Sequence, residues 1–91
     1  MFELRPTTKY RRDIRRLKRR GLNLEALVTA HDLLICTGTL SDQYRPHPLR
    51  GEYASYIDAH IAPDWVIIYK QYDEYIVLLR TGTHQDLFNN Y

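Results

Sequence analysis

The segment that decides the fold reads YASYIDAHIAPDWVIIYKQY and occupies residues 53–72. From Tyr53 to Ile61 the side chains alternate between two faces, which is typical of a strand with one buried face. Residues 62–64, Ala-Pro-Asp, predict a turn. Residues 65–72 are apolar and rich in β-branched and aromatic side chains, so they predict a second strand. The segment is therefore expected to form a β-hairpin.

Turns and breaks extend this pattern on both sides of the hairpin. After it, residues 73–74 predict a tight turn, residues 75–81 a further strand, and residues 84–88 one closing helical turn. Before it, residues 41–51 contain two prolines and a glycine, which favours an extended loop over a helix or a central strand. The C-terminal half is thus expected to be mainly sheet.

The N-terminal half has the pattern of two helices. Residues 2–5 suit a short first strand, and Thr7-Thr8 predicts the N-cap of a helix that ends near Gly21. A second helix is expected between Asn23, as its N-cap, and Gly38, at its end. Helices followed by strands in this order predict an α+β protein.

Apolar stripes predict how these helices pack. In the first helix Tyr10, Ile14 and Leu17 are spaced i, i+4 and i+7. Because about two residues join the helices, they are expected to pack as an antiparallel hairpin. The predicted fold is this N-terminal helical hairpin on one face of a small, mostly antiparallel sheet, in a single domain of residues 1–91. The inward face of the second helix is expected to carry Leu24, Leu27, Val28, His31, Leu34 and Ile35.

The net charge of +2 conceals a strong asymmetry. Residues 1–20 hold 9 basic and 2 acidic residues, or +7, whereas residues 21–91 hold 4 basic and 9 acidic residues, or −5. A basic block of this kind favours a polyanionic partner, either nucleic acid or an acidic protein, and the alternative is an ordinary solvated helix face. The predicted basic patch consists of Arg11, Arg12, Arg15, Arg16 and Arg19.

Composition excludes several classes of protein. The single cysteine, Cys36, rules out an internal disulfide, and its apolar neighbours predict a buried structural thiol. No stretch approaches the roughly 20 apolar residues of a membrane span, and no signal peptide is recognisable at the N-terminus. We therefore expect a soluble cytoplasmic protein with a shallow surface site.

The predicted strand pairing brings polar side chains to one end of the sheet. His60, Asp64 and His84 should meet there, with Asp58 on the same face as His60 and Arg80 nearby. Two imidazoles can serve as general base and general acid near neutral pH, and an arginine can stabilise a developing anion. RNA suits such a group because it carries its own nucleophile, the 2′-OH. Aromatic candidates for stacking on a base are Tyr56, Trp65 and Phe88.

Other interpretations of the same residues stay open at this point. Three histidines and an aspartate are also a plausible zinc or transition-metal set, although their spacing matches no short metal motif. Scattered polar residues at a sheet end are a third possibility. Trp65 alone fits the core better than a binding surface, and His31 fits a half-buried packing role.

Three segments resemble the YafQ family of toxins within the RelE-like superfamily: residues 47–51 (HPLRG), 56–69 (YIDAHIAPDWVIIY) and 79–88 (LRTGTHQDLF). The resemblance implies an mRNA interferase that cuts messenger RNA in the ribosomal A site, without a metal or other cofactor. It also implies a cognate antitoxin as partner. A non-catalytic protein of the same fold that binds nucleic acid or a partner is the alternative.

Position by position, the resemblance assigns catalytic roles to His47, His60, Asp64 and His84. It implies His84 as the general acid and leaves the base open between His60 and His47, with Asp64 assisting. The family commonly has a basic residue where this chain has Ile57, so the expected loss is either a phosphate contact or an electrostatic influence on a neighbouring carboxylate, although strand alternation places Ile57 on the face opposite Asp58 and His60. Supporting or RNA-contacting positions are Asp58, Trp65, Arg80 and Phe88.

Overall fold

The computed structural model describes residues 1–88, which form three helices and five strands in mixed order. Two short 3₁₀ turns, at Asp42–Tyr44 and Gly51–Tyr53, interrupt the long loop before the hairpin. None of the helices described is long and apolar enough to cross a membrane. In chain order the elements are β1 (Glu3–Pro6), α1 (Thr8–Arg19), α2 (Glu25–Thr37), β2 (His47–Pro48), β3 (Ile57–Ala62), β4 (Trp65–Gln71), β5 (Tyr75–Gly82) and α3 (His84–Phe88).

The strands form one sheet in the order β1-β5-β4-β3-β2. Strands β2 to β5 pair antiparallel, while β1 pairs parallel with β5, from Glu3 opposite Tyr75 to Pro6 opposite Leu78. The mostly antiparallel sheet predicted from the sequence is thus confirmed. Strand β1, which leads directly into α1, is parallel to its neighbour β5, the last strand along the chain.

The main core lies between one face of the sheet and the two long helices. Tyr10 and Leu17 of α1 and Leu34 of α2 are fully buried there against Ile67 and other residues of β4 and β5. A smaller apolar cluster lies on the opposite face, built from Val66, Ile68, Leu87 and partly buried neighbours. Strand β4 is covered on both faces, which explains why it is apolar throughout.

Caps define the helix ends much as the sequence predicts. The Thr7 hydroxyl accepts a hydrogen bond from the Tyr10 N–H at 3.0 Å, and Gly38 ends α2 in the left-handed conformation with φ 81°. Helix α2 begins one residue later than expected, at Glu25. The Glu25 N–H donates to the Asn23 side chain at 2.9 Å. The helices contact each other where Tyr10 Oη lies 2.7 Å from His31 Nε2.

Three expectations are wrong in detail. The first strand of the hairpin begins at Ile57 rather than Tyr53, because a 3₁₀ turn and the positive φ of Ser55 (82°) break the extended chain. Val28 is 55% exposed and not part of the inward face of α2. Cys36 is exposed rather than buried, because the buried side of α2 is the one that carries Leu34 and Cys36 lies on the other side of the helix.

Candidate active site

Strand register places four of the predicted site residues on the sheet face opposite α1 and α2. His47 pairs with Asp58, Asp58 with Ile68, and Ile68 with Arg80 across four neighbouring strands. Directly paired residues share a face, and His60 shares it with Asp58 because it lies two positions along the strand. The convergence expected from the sequence is therefore present in the structure.

Three imidazoles form a row across this face. The ring centroids of His47 and His60 lie 6.0 Å apart, and those of His60 and His84 lie 5.5 Å apart. The row ends at Phe88, whose ring centroid is 6.1 Å from that of His84. We call His47, His60 and His84 the histidine row. His60 is its central member.

The position of His84 is fixed by the start of α3. Thr83 and Asp86 cap this helix reciprocally: the Asp86 N–H donates to the Thr83 hydroxyl and the Thr83 N–H to the Asp86 carboxylate, each at 3.1 Å. Asp64, in the turn of the hairpin, accepts hydrogen bonds from His84 Nδ1 at 2.9 Å and from its backbone N–H at 3.3 Å. The imidazole therefore turns Nε2 away from Asp64.

Electrostatics support an ionised Asp64. The hydrogen bonds from His84 hold the pKa of the Asp64 carboxyl below its usual value, with the side-chain bond as the largest cause. A carboxylate is an acceptor only, so His84 Nδ1 carries the proton in this bond. Nε2 is then the nitrogen of His84 that is available for proton transfer.

His47 is oriented by the backbone of its own loop. Its Nδ1 lies 2.9 Å from the carbonyl oxygen of Arg45, which adopts the left-handed conformation. Because a carbonyl only accepts, Nδ1 must donate, and in the neutral ring Nε2 carries the lone pair. That Nε2 lies 4.0 Å from Asp58 Oδ2, too far for a direct hydrogen bond.

Two buried polar atoms beside the histidine row have no hydrogen-bond partner among residues 1–88. They are Asp58 Oδ1 and His60 Nδ1, and Asp58 itself is only 5% exposed. Buried polar groups are normally satisfied by protein, water or a ligand, so these two atoms are open to a polar partner on this face.

Arg80 is engaged by a residue that sequence reasoning did not single out. Its Nε and Nη2 donate to the two oxygens of Asp13 at 2.7 and 3.0 Å, and this hydrogen bonding raises the pKa of the guanidinium. Asp13 is buried and also accepts the Thr81 N–H at 3.0 Å. The sequence feature that points to Asp13 is its place as an acidic residue in a basic helix, three positions before Arg16.

Trp65 lies in the core, so the RNA-contacting role that the resemblance implied for it is wrong. It is 5% exposed, belongs to the main core, and donates from Nε1 to the Thr81 hydroxyl at 2.9 Å. It therefore cannot stack on an RNA base in this structure, because its side chain lies on the face covered by α1 and α2. Phe88 is only partly buried and meets Tyr53 edge-on, with 6.3 Å between ring centroids.

The predicted basic patch is divided by the structure. Arg11, Arg12, Arg15 and Arg19 are exposed on α1. Arg16 points inward instead, 2.7 Å from Asp13 and 3.9 Å from Asp86, so ion pairs with these two carboxylates compete for its charge.

Arg20, the residue that caps the C-terminal end of α1, binds the carboxylate at the start of α3. Arg20 binds both oxygens of Asp86 at 2.8 and 3.1 Å and, as the largest cause, lowers the pKa of that carboxyl to about 2. Asp86, which sequence reasoning also missed, thereby joins α1 to the helix that carries His84.

The departure at Ile57 lies outside the histidine row. Ile57 is partly buried and packs against the main core, on the face opposite Asp58 and His60. The side chain at this position therefore lies on the other face of the sheet from the histidine row.

A metal site is one of the interpretations that the sequence leaves open. Within residues 1–88, no three His, Cys, Asp or Glu side chains are grouped closely enough to hold one.

Comparison with known proteins gives a consistent result. The family model described as "Bacterial toxin of type II toxin-antitoxin system, YafQ" matches residues 2–89. The mRNA interferase toxin YafQ of Escherichia coli K12 is 40% identical over 80 residues, or 87% of each chain. The E. coli DinJ–YafQ toxin–antitoxin complex contains a chain with 35% identity and a TM-score of 0.87, covering 96% of this chain and 97% of that one. A metal-bound toxin from Helicobacter pylori has 27% identity and a TM-score of 0.86, with coverage of 97% and 100%.

Proposed function

This chain belongs to the YafQ family of toxins of bacterial type II toxin–antitoxin systems, and from that membership we propose how its histidine row cuts RNA. The protein is an mRNA interferase, an endoribonuclease. The observation that carries the proposed mechanism is the row itself: three rings within 6.0 Å of their neighbours, with an ionised carboxylate on the last one.

The reaction needs an acid, a base and charge stabilisation, but no metal. The base removes the proton of the 2′-OH, and O2′ attacks the adjacent phosphorus as the bond from phosphorus to the 5′-oxygen breaks. The acid donates a proton to that leaving oxygen. The products are a 2′,3′-cyclic phosphate and a 5′-hydroxyl end, so atoms and charges balance without a co-reactant.

His84 is the general acid. Its Nδ1 proton is held by Asp64 at 2.9 Å, which fixes the ring with Nε2 outward. The carboxylate holds the ring in one orientation and one tautomer, with the proton on Nδ1. Asp64 acts through His84 and not on the substrate directly.

His47 is the general base, a choice that the sequence left open between His47 and His60. The Arg45 carbonyl holds the tautomer whose Nε2 bears a lone pair in the neutral ring. His60 lies between the acid and the base, where its imidazole binds the phosphate undergoing reaction. Arg80 adds positive charge at the same face, and the partly buried ring of Phe88 is the surface on which a base stacks.

The substrate is messenger RNA in the ribosomal A site, and the place of action is the cytoplasm. Support comes from the exposed arginines of α1, which suit the polyanionic surface of the ribosome. Brief induction followed by sequencing of RNA 5′ ends tests this directly. Cuts at a fixed position within codons of translated frames are expected, and cuts in untranslated RNA would contradict the dependence on the ribosome.

Substitutions in the histidine row test whether toxicity depends on catalysis or only on the folded protein. His84→Ala and His60→Ala should relieve the growth arrest caused by the wild type and abolish new 5′ ends. The matched control is His31→Gln, because His31 binds Tyr10 on the far face of the sheet and takes no part in the row. Undiminished toxicity of both row variants would instead favour a non-catalytic binding protein.

A metal-dependent mechanism is tested separately, since one similar toxin has been solved with a metal. Toxin stripped of metal by a chelator and returned to ribosomes supplied with magnesium alone should cut as fast as untreated toxin. Loss of cleavage that zinc or copper restores would overturn the metal-free mechanism.

The partner is a cognate antitoxin that occupies the toxin in the cell. The solved toxin–antitoxin complex of a similar chain supports this, and so does the exposed positive charge of α1. Such a partner is expected to present an acidic segment that folds on binding. Co-expression with the neighbouring reading frame should yield a stable complex that lacks toxicity; recovery of free, active toxin would contradict it.

A further inference from the structure

A small basic pocket lies at the edge of the sheet, away from the histidine row. It encloses about 190 Å³ between the first turns of α1 and strand β5. Four cations and one carboxylate line it, which gives a formal charge of 4 − 1 = +3. Its lining residues are Lys9, Arg12, Asp13, Arg16 and Arg80.

The single carboxylate does not neutralise this pocket. Both oxygens of Asp13 are occupied, since Oδ1 accepts from Arg16 and Arg80 and Oδ2 accepts from Arg80 and the Thr81 N–H. Asp13 therefore holds two guanidinium groups in fixed positions. Each arginine has five N–H donors, so both keep donors for a ligand.

The remaining two cations have no counter-charge of their own. Lys9 and Arg12 make no ion pair within the part of the chain that the structure describes. They also lie near the N-terminus of α1, whose first turn contains no acidic residue. The helix dipole is positive at that end, so cations there destabilise the helix and an anion stabilises it.

We propose that this pocket, the α1 anion pocket, binds a backbone phosphate of the RNA strand that is cut at the histidine row. The pocket suits phosphate because a guanidinium group can donate two parallel hydrogen bonds to phosphate oxygens. Its volume of about 190 Å³ leaves room for one phosphate group. This inference rests on the proposed function, because it assigns a second contact to the same substrate.

Arg80 connects the pocket to the catalytic face. It lines the pocket and also lies in the sheet row that contains Asp58 and His47. Two strand spacings, about 10 Å, separate the strand of Arg80 from that of Asp58, which is within the length of a short oligonucleotide. A strand that passes over the histidine row thus reaches the pocket with a phosphate on one side of the cut.

The test compares two lysines of the same helix. Lys9 lines the pocket, whereas Lys18 is also exposed on α1 but does not line it. Full-length toxin carrying His84→Ala would bind a fluorescent single-stranded oligoribonucleotide over a range of salt concentrations. Lys9→Gln should weaken binding several-fold at low salt and reduce the slope of log Kd against log salt by about 0.7, while Lys18→Gln changes binding less than twofold.

Arg12→Gln is the second variant and should behave like Lys9→Gln, with thermal unfolding measured for each to show that the fold is retained. Equal effects of Lys9→Gln and Lys18→Gln would overturn the proposal, because they indicate a diffuse field and no pocket. Weakened capture of the antitoxin with unchanged RNA binding would overturn it as well. In both cases His84-dependent cleavage by the wild type would persist, whereas its absence would contradict the proposed function itself.

Discussion

Replacing Asp13 by alanine is expected to remove a large share of the stability of this chain. The carboxylate is 1% exposed and accepts four hydrogen bonds, from Arg16, twice from Arg80, and from the Thr81 N–H. These join the middle of α1 to the end of β5, where β1 no longer covers the sheet edge. Alanine leaves one buried N–H and two partly buried guanidinium groups without their acceptor.

The loss in the free energy of unfolding depends on how much hydration each group regains once its carboxylate partner is removed. Breaking a buried ion pair from one side costs about 3–5 kcal/mol. Arg16 is 30% exposed and Arg80 18% exposed, so both regain some hydration and the lower end applies. We expect a loss of about 3 kcal/mol, and since 1 kcal/mol shifts the melting temperature of a domain this small by about 4–8 °C, a fall of about 12–24 °C.

Urea unfolding followed by the fluorescence of Trp65, the only tryptophan, measures this loss. All variants would carry His84→Ala so that they can be expressed. Asp32→Ala, an exposed helical aspartate on α2, is the control and should change stability by less than about 0.5 kcal/mol. A double-mutant cycle with Arg80→Ala should show a coupling of about 1–3 kcal/mol. A loss below about 1 kcal/mol, or strict additivity, would refute the reasoning.

Three further substitutions test other contacts. The Asp86 carboxyl titrates at a pKa near 2 in the folded state, below its unfolded value, so it stabilises the fold above about pH 4 and this contribution is lost as the pH falls toward 2; Asp86→Asn should flatten that part of the stability curve in acid titrations. Trp65→Phe should cost about 1 kcal/mol through loss of the hydrogen bond that the Thr81 hydroxyl accepts, while that hydroxyl keeps its own bond to the Val66 carbonyl; RNA affinity should be unchanged, and a drop in affinity would support a binding role for the indole. Gly38→Ala should destabilise by at least about 1 kcal/mol, because φ is +81° and a Cβ would lie 2.6–2.7 Å from the Phe2 ring; thermal melts showing no change would contradict this.

The hairpin and its turn were predictable because their signals are local. Alternation over residues 57–61 and the Pro63-Asp64 turn set the register, and the register alone brings His60 near His84. The structure places Asp64 on His84 as the strand argument required. The roles of these residues remain predictions, since geometry assembles a site without showing its chemistry.

What the sequence did not reveal depends on contacts between distant parts of the chain. Asp13 meets the Thr81 N–H across 68 positions, and Asp86 meets Arg20 across 66. No local pattern encodes either contact, so the sequence predicts an apolar stripe and a basic surface for α1 but neither of these ion pairs. For Trp65 the sequence alone favours the core over stacking, and the structure agrees, since Trp65 lies in the main core with Ile67, two positions along the same strand.

One measurement tests the central claim, that His84 is the acid and His47 the base of a metal-free cleavage. The substrate is messenger RNA in the A site with sulfur in place of the 5′-bridging oxygen at the scissile phosphate. A thiolate leaves without a proton, so His84→Ala should cut this RNA at nearly the wild-type rate, although it loses about 10²–10⁴-fold on ordinary RNA. His47→Ala should stay slow on both. Equal impairment of His84→Ala on the two substrates would contradict the account.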